Sequence, residues 1–250
     1  MKKMDSKGVS ETVGYLLILG IVIASISYAY VHAYSMIEDI SSKFKDEGLR
    51  QSFKRIQNVL YSSTYGGAKL QSIQVELHGS FWIANDTYLR ILSNSSLSTS
   101  ILFEGYVRSL NYKYEDFEIV LENGAVWENY QGYKRVVEYP RIFIHTSYKP
   151  SPSEHKEKVV VVVINKYVQD FSISGEGSVR LIFNTTSTSF KVYDGPGNVK
   201  ITVKSPHAKL WYDFFLTLPG DCELSGNIAN FTTYYDKLVL AEYDIAVESG

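Results

Sequence analysis

The sequence predicts an α+β chain: a long N-terminal helix, transmembrane and then amphipathic, followed by an all-β antiparallel, sandwich-like domain. Three observations carry this. Residues 12–37 contain no Asp, Glu, Lys or Arg. Apolar residues then recur at helical spacing as far as Leu60. From about residue 68 the period changes to two, that of a half-buried strand.

Composition narrows the functional classes. The 250 residues are 45% hydrophobic and 21% charged, with a formal net charge of -2. A basic nucleic-acid binder is excluded, because nothing here neutralises a run of phosphates. So is a highly charged disordered chain, which lacks apolar residues to bury. Cys222 is the single cysteine, which excludes an intrachain disulfide, Cys-based zinc sites and iron–sulfur clusters. The 20 tyrosines against 3 methionines suit β-rich structure with an amphipathic surface.

The first element is the apolar run, with a membrane segment expected at about 12–34. Roughly 20 apolar residues suffice to cross a hydrocarbon core as a helix. Lys2, Lys3 and Lys7 precede the run and Glu38 and Asp39 follow it. The positive-inside bias therefore puts the N-terminus in the cytoplasm and the remaining chain outside. A cleaved secretory signal peptide would have a shorter apolar region, about 7–15 residues, ending at a small-residue site. Ala29 and Ala33 do not form such a site. A buried core helix needs neither the lysine cluster nor so long a charge-free window. A plain single-pass anchor stays open.

Ile37, Ile40 and Phe44, then Leu49, Phe53, Ile56 and Leu60, form the stripe of an amphipathic helix, so that one helix is expected over 9–61. Lys43, Lys45, Asp46, Glu47, Arg50, Lys54 and Arg55 fill its other face. Gly48 sits at the phase break, where a kink or local loosening is expected.

Lys7-Gly8, then Val9-Ser10-Glu11-Thr12-Val13-Gly14 and a long Leu/Ile/Val helix, resembles the archaeal type IV pilin-like and archaellin-like proteins with a class III signal peptide. The match covers residues 7–35; the β-rich region resembles the family only in architecture. The resemblance implies a leader at 1–8, cut after Gly8 by a prepilin peptidase on the cytoplasmic side, with Val9 as the new N-terminus. It implies a structural subunit, major or minor, of an archaeal type IV pilus-like surface filament; an enzyme is not expected, because no convergent polar constellation can be named in the sequence. The implied partners are that peptidase, an assembly ATPase with its membrane platform protein, and other pilin subunits. One departure is the position of Glu11, since many pilins carry their acid deeper in the mature helix.

Cleavage would remove Lys2, Lys3, Lys7 and Asp5, so Lys plus Arg falls from 25 to 22, Asp plus Glu from 27 to 26, and the formal charge becomes -4. A carboxylate near the start of an apolar helix is costly unless paired. The freed amine of Val9 on a neighbouring subunit would pair with Glu11 and set axial register. Alternatively, Glu11 is a helix-start acid favoured by the dipole, with Ser10 as its N-cap. Gly14 and Gly20 allow close helix approach, although their spacing is not G-x-x-x-G.

In the β domain, expected over 68–250, Ile73, Val75 and Leu77 alternate with polar residues, as do Phe117, Ile119 and Leu121. Asn123-Gly124 suits a type I′ hairpin turn returning through Ala125–Trp127. Arg141–Ile144 reads as a strand and 148–158 as a polar, proline-bearing loop, either a rim loop or a subdomain break. Val159–Ile164 reads as a central buried strand. Gly175–Gly177 and Asp194–Gly197 punctuate further hairpins; Val199, Ile201 and Val203, then Leu238–Leu240 and Tyr243–Val247, complete the pattern. With no helical stretch between them, these strands argue for an antiparallel sandwich.

Asn85, Asn94, Asn184 and Asn230 head N-glycosylation sequons, as an exported glycoprotein would carry. No P-loop, G-x-G-x-x-G, H-E-x-x-H, G-x-S-x-G or EF-hand pattern occurs, and no cofactor or metal is expected. His32, His78, His145, His155 and His207 are scattered and read as solvated or hydrogen-bonded surface residues. Glu115-Asp116 reads as a solvated turn, Trp211–Phe215 as an aromatic strand or a partner platform, and Cys222 as a lone thiol. The competing function is a permanently anchored surface binding or adhesion protein with an extracellular β domain.

Overall fold

The computed structural model describes residues 6–65, 67–94, 98–149 and 155–250; the side chains of 6–12, 35, 37–45, 63–65, 147–149 and 155 lie outside that description. Lys2, Lys3 and Asp5 of the expected leader, and the tip 150–154 of the expected loop, also lie outside the described residues.

The chain forms an N-terminal helix followed by a mostly β domain. Helix α1 spans Ser6–Tyr65. The strands are β1 (Leu70–Leu77), β2 (Ser80–Ala84), β3 (Tyr88–Asn94), β4 (Thr99–Tyr106), β5 (Ser109–Tyr114), β6 (Phe117–Glu122), β7 (Ala125–Tyr130), β8 (Tyr133–Glu138), β9 (Ile142–Lys149), β10 (His155–Tyr167), β11 (Ser172–Ser174) and β12 (Gly177–Lys204). A second helix, α2 (Ala208–Phe215), precedes β13 (Asp221–Ser225) and β14 (Ile228–Ser249). The chain divides into two units, Met1–Gly48 and Leu49–Gly250. The boundary falls at the glycine where the apolar stripe changes phase, although α1 stays α-helical through it.

The strands make two sheets. One runs β4-β3-β12-β14-β10-β9, with β1 pairing β12 and β13 pairing β14; the other runs β11-β2-β5-β6-β7-β8. Two apolar clusters collect residues from both sheets. One joins Val120 and Trp127 to Val160, Val162, Val199, Ile201 and Trp211. The other joins Phe81, Tyr112 and Ile119 to Val163, Phe183, Ile245 and the α1 residues Leu49, Phe53, Ile56 and Leu60. β10 contributes to both clusters, even residues to the first and odd to the second. That is why Val159–Ile164 reads as one unbroken apolar run.

Asn123 and Gly124 both take positive φ, 47° and 79°, as the type I′ turn between β6 and β7 requires. A side chain at Gly124 would also meet Arg141 Cγ at 2.8 Å. Glu115 and Asp116 form an exposed turn between β5 and β6, as expected.

Five expectations are corrected. The pairing is mixed, because β10 and β14 run parallel; the chain between them is long enough for a crossover. The stretch 148–158 is not a subdomain break: Lys149 pairs with His155, and both flanks are strands of one sheet. Asp194–Gly197 does not end a strand, since β12 passes through it with a register shift, where a bulge tolerates Pro and Gly. Gly175–Gly177 connects β11 of one sheet to β12 of the other and closes no hairpin. Trp211–Phe215 is the end of α2, which buries Leu210, Trp211, Phe214 and Phe215 on one helical face.

Candidate functional site

Val13–Tyr34 is the one segment among the described residues with the length and composition to cross a membrane: 22 residues, mean hydropathy 2.0, none buried within the structure. At about 1.5 Å per residue it runs about 33 Å, against a hydrocarbon core of about 30 Å. The hydroxyl of Ser25 donates to the Ile21 carbonyl at 2.8 Å, which satisfies a polar group that hydrocarbon would not. Tyr28, His32, Tyr30 and Tyr34 gather in the last two turns, Tyr28 edge-on to His32 at 4.3 Å and Tyr30 stacked on Tyr34 at 6.2 Å. Such amphipathic rings favour the membrane–water boundary. Val13, Leu16, Leu17, Gly20, Ile21 and Ala24 line a shallow groove along the helix. The space beside Gly14 and Gly20 is open.

Gly8, Val9 and Glu11 lie in the first turns of α1, and their side chains are outside the described residues. Because the helix begins at Ser6, Ser10 is an interior residue and not its N-cap.

The second part of the site is the mounting of α1 on the β domain, from Leu49 onward. Leu49, Phe53, Ile56 and Leu60 are buried at spacings that keep them on one helical face. Phe53 stacks on Phe81 at 5.8 Å and meets Tyr112 edge-on. Gln57 Nε2 donates to the Gly124 carbonyl at 2.5 Å. The Arg141 guanidinium lies over the Tyr61 ring, 5.3 Å from its centre. Arg50 and Arg135 both grip Glu128: Arg50 Nε at 2.6 Å and Nη2 at 3.0 Å, Arg135 Nε and Nη2 each at 3.0 Å. Burial alone would raise the Glu128 pKa, but the hydrogen bonds and charges of the two guanidiniums outweigh it and hold the carboxyl below its ordinary value.

Sequence reasoning missed a buried polar hub. Glu122 is fully buried, and it accepts from Thr87 Oγ1 and Trp211 Nε1 on one oxygen and from Trp127 Nε1 on the other, each at 2.9 Å. Burial raises its pKa, while hydrogen bonds from Ser205, Trp211, Thr87 and Trp127 oppose that. The signal in sequence is parity: Glu122 falls out of phase with Phe117, Ile119 and Leu121, on a strand whose two faces are both covered. His207 is buried and not a surface residue; burial, assisted by the charge of Lys134, lowers its pKa to about 4, and its Nδ1 has no hydrogen-bond partner among the described residues. These groups join β2–β3, β6, β7 and the β12–α2 connection. Among the described residues, no three His, Cys, Asp or Glu side chains are grouped to hold a metal ion.

The four sequons are not equivalent. Asn85 is exposed, but the hydroxyl of its Thr87 is buried on Glu122. Asn184 lies within β12 between β1 and β14. Asn230 lies within β14 between β12 and β13 and accepts from Thr202 Oγ1 at 2.7 Å. Asn94 is exposed at the end of β3. Cys222 is half-buried in β13.

A model of a family of unknown function, DUF7289, matches residues 7–248. An uncharacterized protein of Archaeoglobus fulgidus is 27% identical over 277 residues, covering 91% of this chain and 87% of that protein. No solved structure matches.

Proposed function

The chain belongs to the DUF7289 family, a family of unknown function, and from that premise we propose that it is a pilin-like structural subunit of a surface filament, cut after Gly8 and assembled through α1. One observation carries this reading. A bare apolar segment long enough to span a membrane continues, within one helix, into a segment clamped to the β domain by an apolar stripe and a shared carboxylate. An anchor needs only the first half. A subunit that must transmit its position in a bundle to a solvent-facing head needs both.

In this reading the N-terminus is cytoplasmic, the β domain is a sandwich-like head outside, and a prepilin peptidase, an assembly ATPase with its platform, and other subunits are the partners. Removing residues 1–8 takes away the lysines that hold the segment in the bilayer, and Glu11 of one copy pairs with the Val9 amine of the next. The relative in an archaeon, covering most of both chains, is consistent with this.

The test is Gly8→Trp, with the cell surface sheared and the released filaments collected. The wild-type chain is expected in the sheared fraction, and the variant is expected to stall uncut in the membrane. A variant displayed at the surface as the wild type is, with neither chain released by shearing, supports a permanently anchored surface protein instead.

A further inference from the structure

The registers of β9, β10, β14 and β12 align Phe143, Val161, Val239 and Val192 in one row across four adjacent strands. The neighbouring row on the same face carries Val163, Ala241 and Phe190. Val163 and Ala241 are buried in the cluster that holds the α1 stripe, so this is the sheet face on which Leu49–Leu60 pack. Past that contact the face is open: Phe143 is 45% exposed, Val192 47% and Phe190 65%. Five apolar side chains on contiguous strands are not the scattered surface hydrophobics every protein carries.

The shape of the face limits what covers it. Three strand spacings of about 4.8 Å make the row about 14 Å wide, room for one helix of about 10–12 Å with its side chains and not for two. An extended peptide is not the natural occupant, because β10 and β14 are interior strands with paired backbones on both sides. The occupant must bring side chains alone. Flanking charges of both signs, Asp194, and Lys237 facing Glu157 at 4.0 Å, disfavour insertion into lipid.

We infer that this row docks the α1 helix of a second copy of the chain. The site continues the interface that α1 already makes on the same sheet face, and the chain itself supplies an apolar helical segment, Val13–Tyr34, with no buried residue. The inference rests on the assembly reading above and names the head-to-helix contact within it.

The experiment uses the full chain, expressed in its native host, with Cys222→Ser and Val192→Cys, the new thiol carrying benzophenone maleimide, beside an isotope-labelled second copy. Irradiation is expected to give a covalent dimer whose adduct maps to residues 13–34 of the labelled copy. An adduct confined to lipid, to the same chain or to another protein overturns the inference. A companion double variant, Phe190→Asp with Val192→Asp, is expected to reduce filament yield at least tenfold while leaving the melting temperature within about two degrees, since both side chains are exposed; undiminished yield overturns the inference. N-terminal processing is read in the same samples. Chains cut after Gly8 and assembled, yet without an α1 adduct, defeat the docking site alone. Uncut, unassembled chains defeat the assembly reading with it.

Discussion

Glu128 and Glu122 are both buried carboxyls, and their surroundings push them in opposite directions. Two guanidiniums hold Glu128 below its ordinary range, so the stability it contributes is present near neutrality and is lost as pH falls through its folded pKa. Among the described residues no cation pairs with Glu122, and burial raises it; its contribution is present at low pH and is lost as pH rises through its folded value. Its hydrogen bonds nonetheless tie four segments together. Glu122→Ala would leave two buried indole N–H groups without an acceptor, costing roughly 1–3 kcal/mol each, which denaturant unfolding followed by tryptophan fluorescence should register. His207 supplies the clearest pH window. Its folded pKa near 4 lies below the ordinary 6.5, so stability is full above 6.5 and declines as pH falls from there toward 4. The loss amounts to about 3 kcal/mol. In His207→Phe, denaturant unfolding repeated from pH 7 down to pH 4 should lose that decline, and an unchanged decline would assign it to another group.

At the scale of elements, α1 does two separate things along its length. Phe53→Ala empties a fully buried ring site between Phe81 and Tyr112 and should cost about 3–5 kcal/mol in the β domain. Ile23→Ala, in the exposed apolar segment, should leave the melting of the β domain unchanged. Calorimetry of the full chain in detergent separates the two. The stripe Leu49–Leu60 was legible in sequence because a spacing of three and four maps directly onto a covered helical face. The alternations in β1 and β6, and the Asn123-Gly124 turn, were legible for the same local reason. The rest depended on distant partners. Trp211–Phe215 is apolar enough for either a strand or a short helix, and packing on β14 and β13 decided it. The parallel pairing of β10 with β14 joins residues 78 positions apart, Val159 with Lys237 through Tyr167 with Ile245, and no local pattern encodes it. The Glu122 hub draws its donors from residues 87, 127, 205 and 211, so only its odd parity was visible.

For the whole molecule, two apolar clusters account for the β domain, while the most apolar segment of the chain takes part in neither. Burying apolar surface is the main favourable term in folding and association, worth roughly 25 cal/mol per Å². In the proposed reading the 22 uncovered residues are matched to something outside the single chain: lipid first, then neighbouring copies. In that reading the lysines ahead of the segment separate the two fates, because their removal would free the helix to leave the bilayer. Intact-mass and N-terminal analysis of the protein from native filaments tests this most directly. The account predicts a chain that begins at Val9 and retains Val13–Tyr34. A filament-borne chain that still carries Met1 and its lysines, or one cut beyond Tyr34, would contradict it.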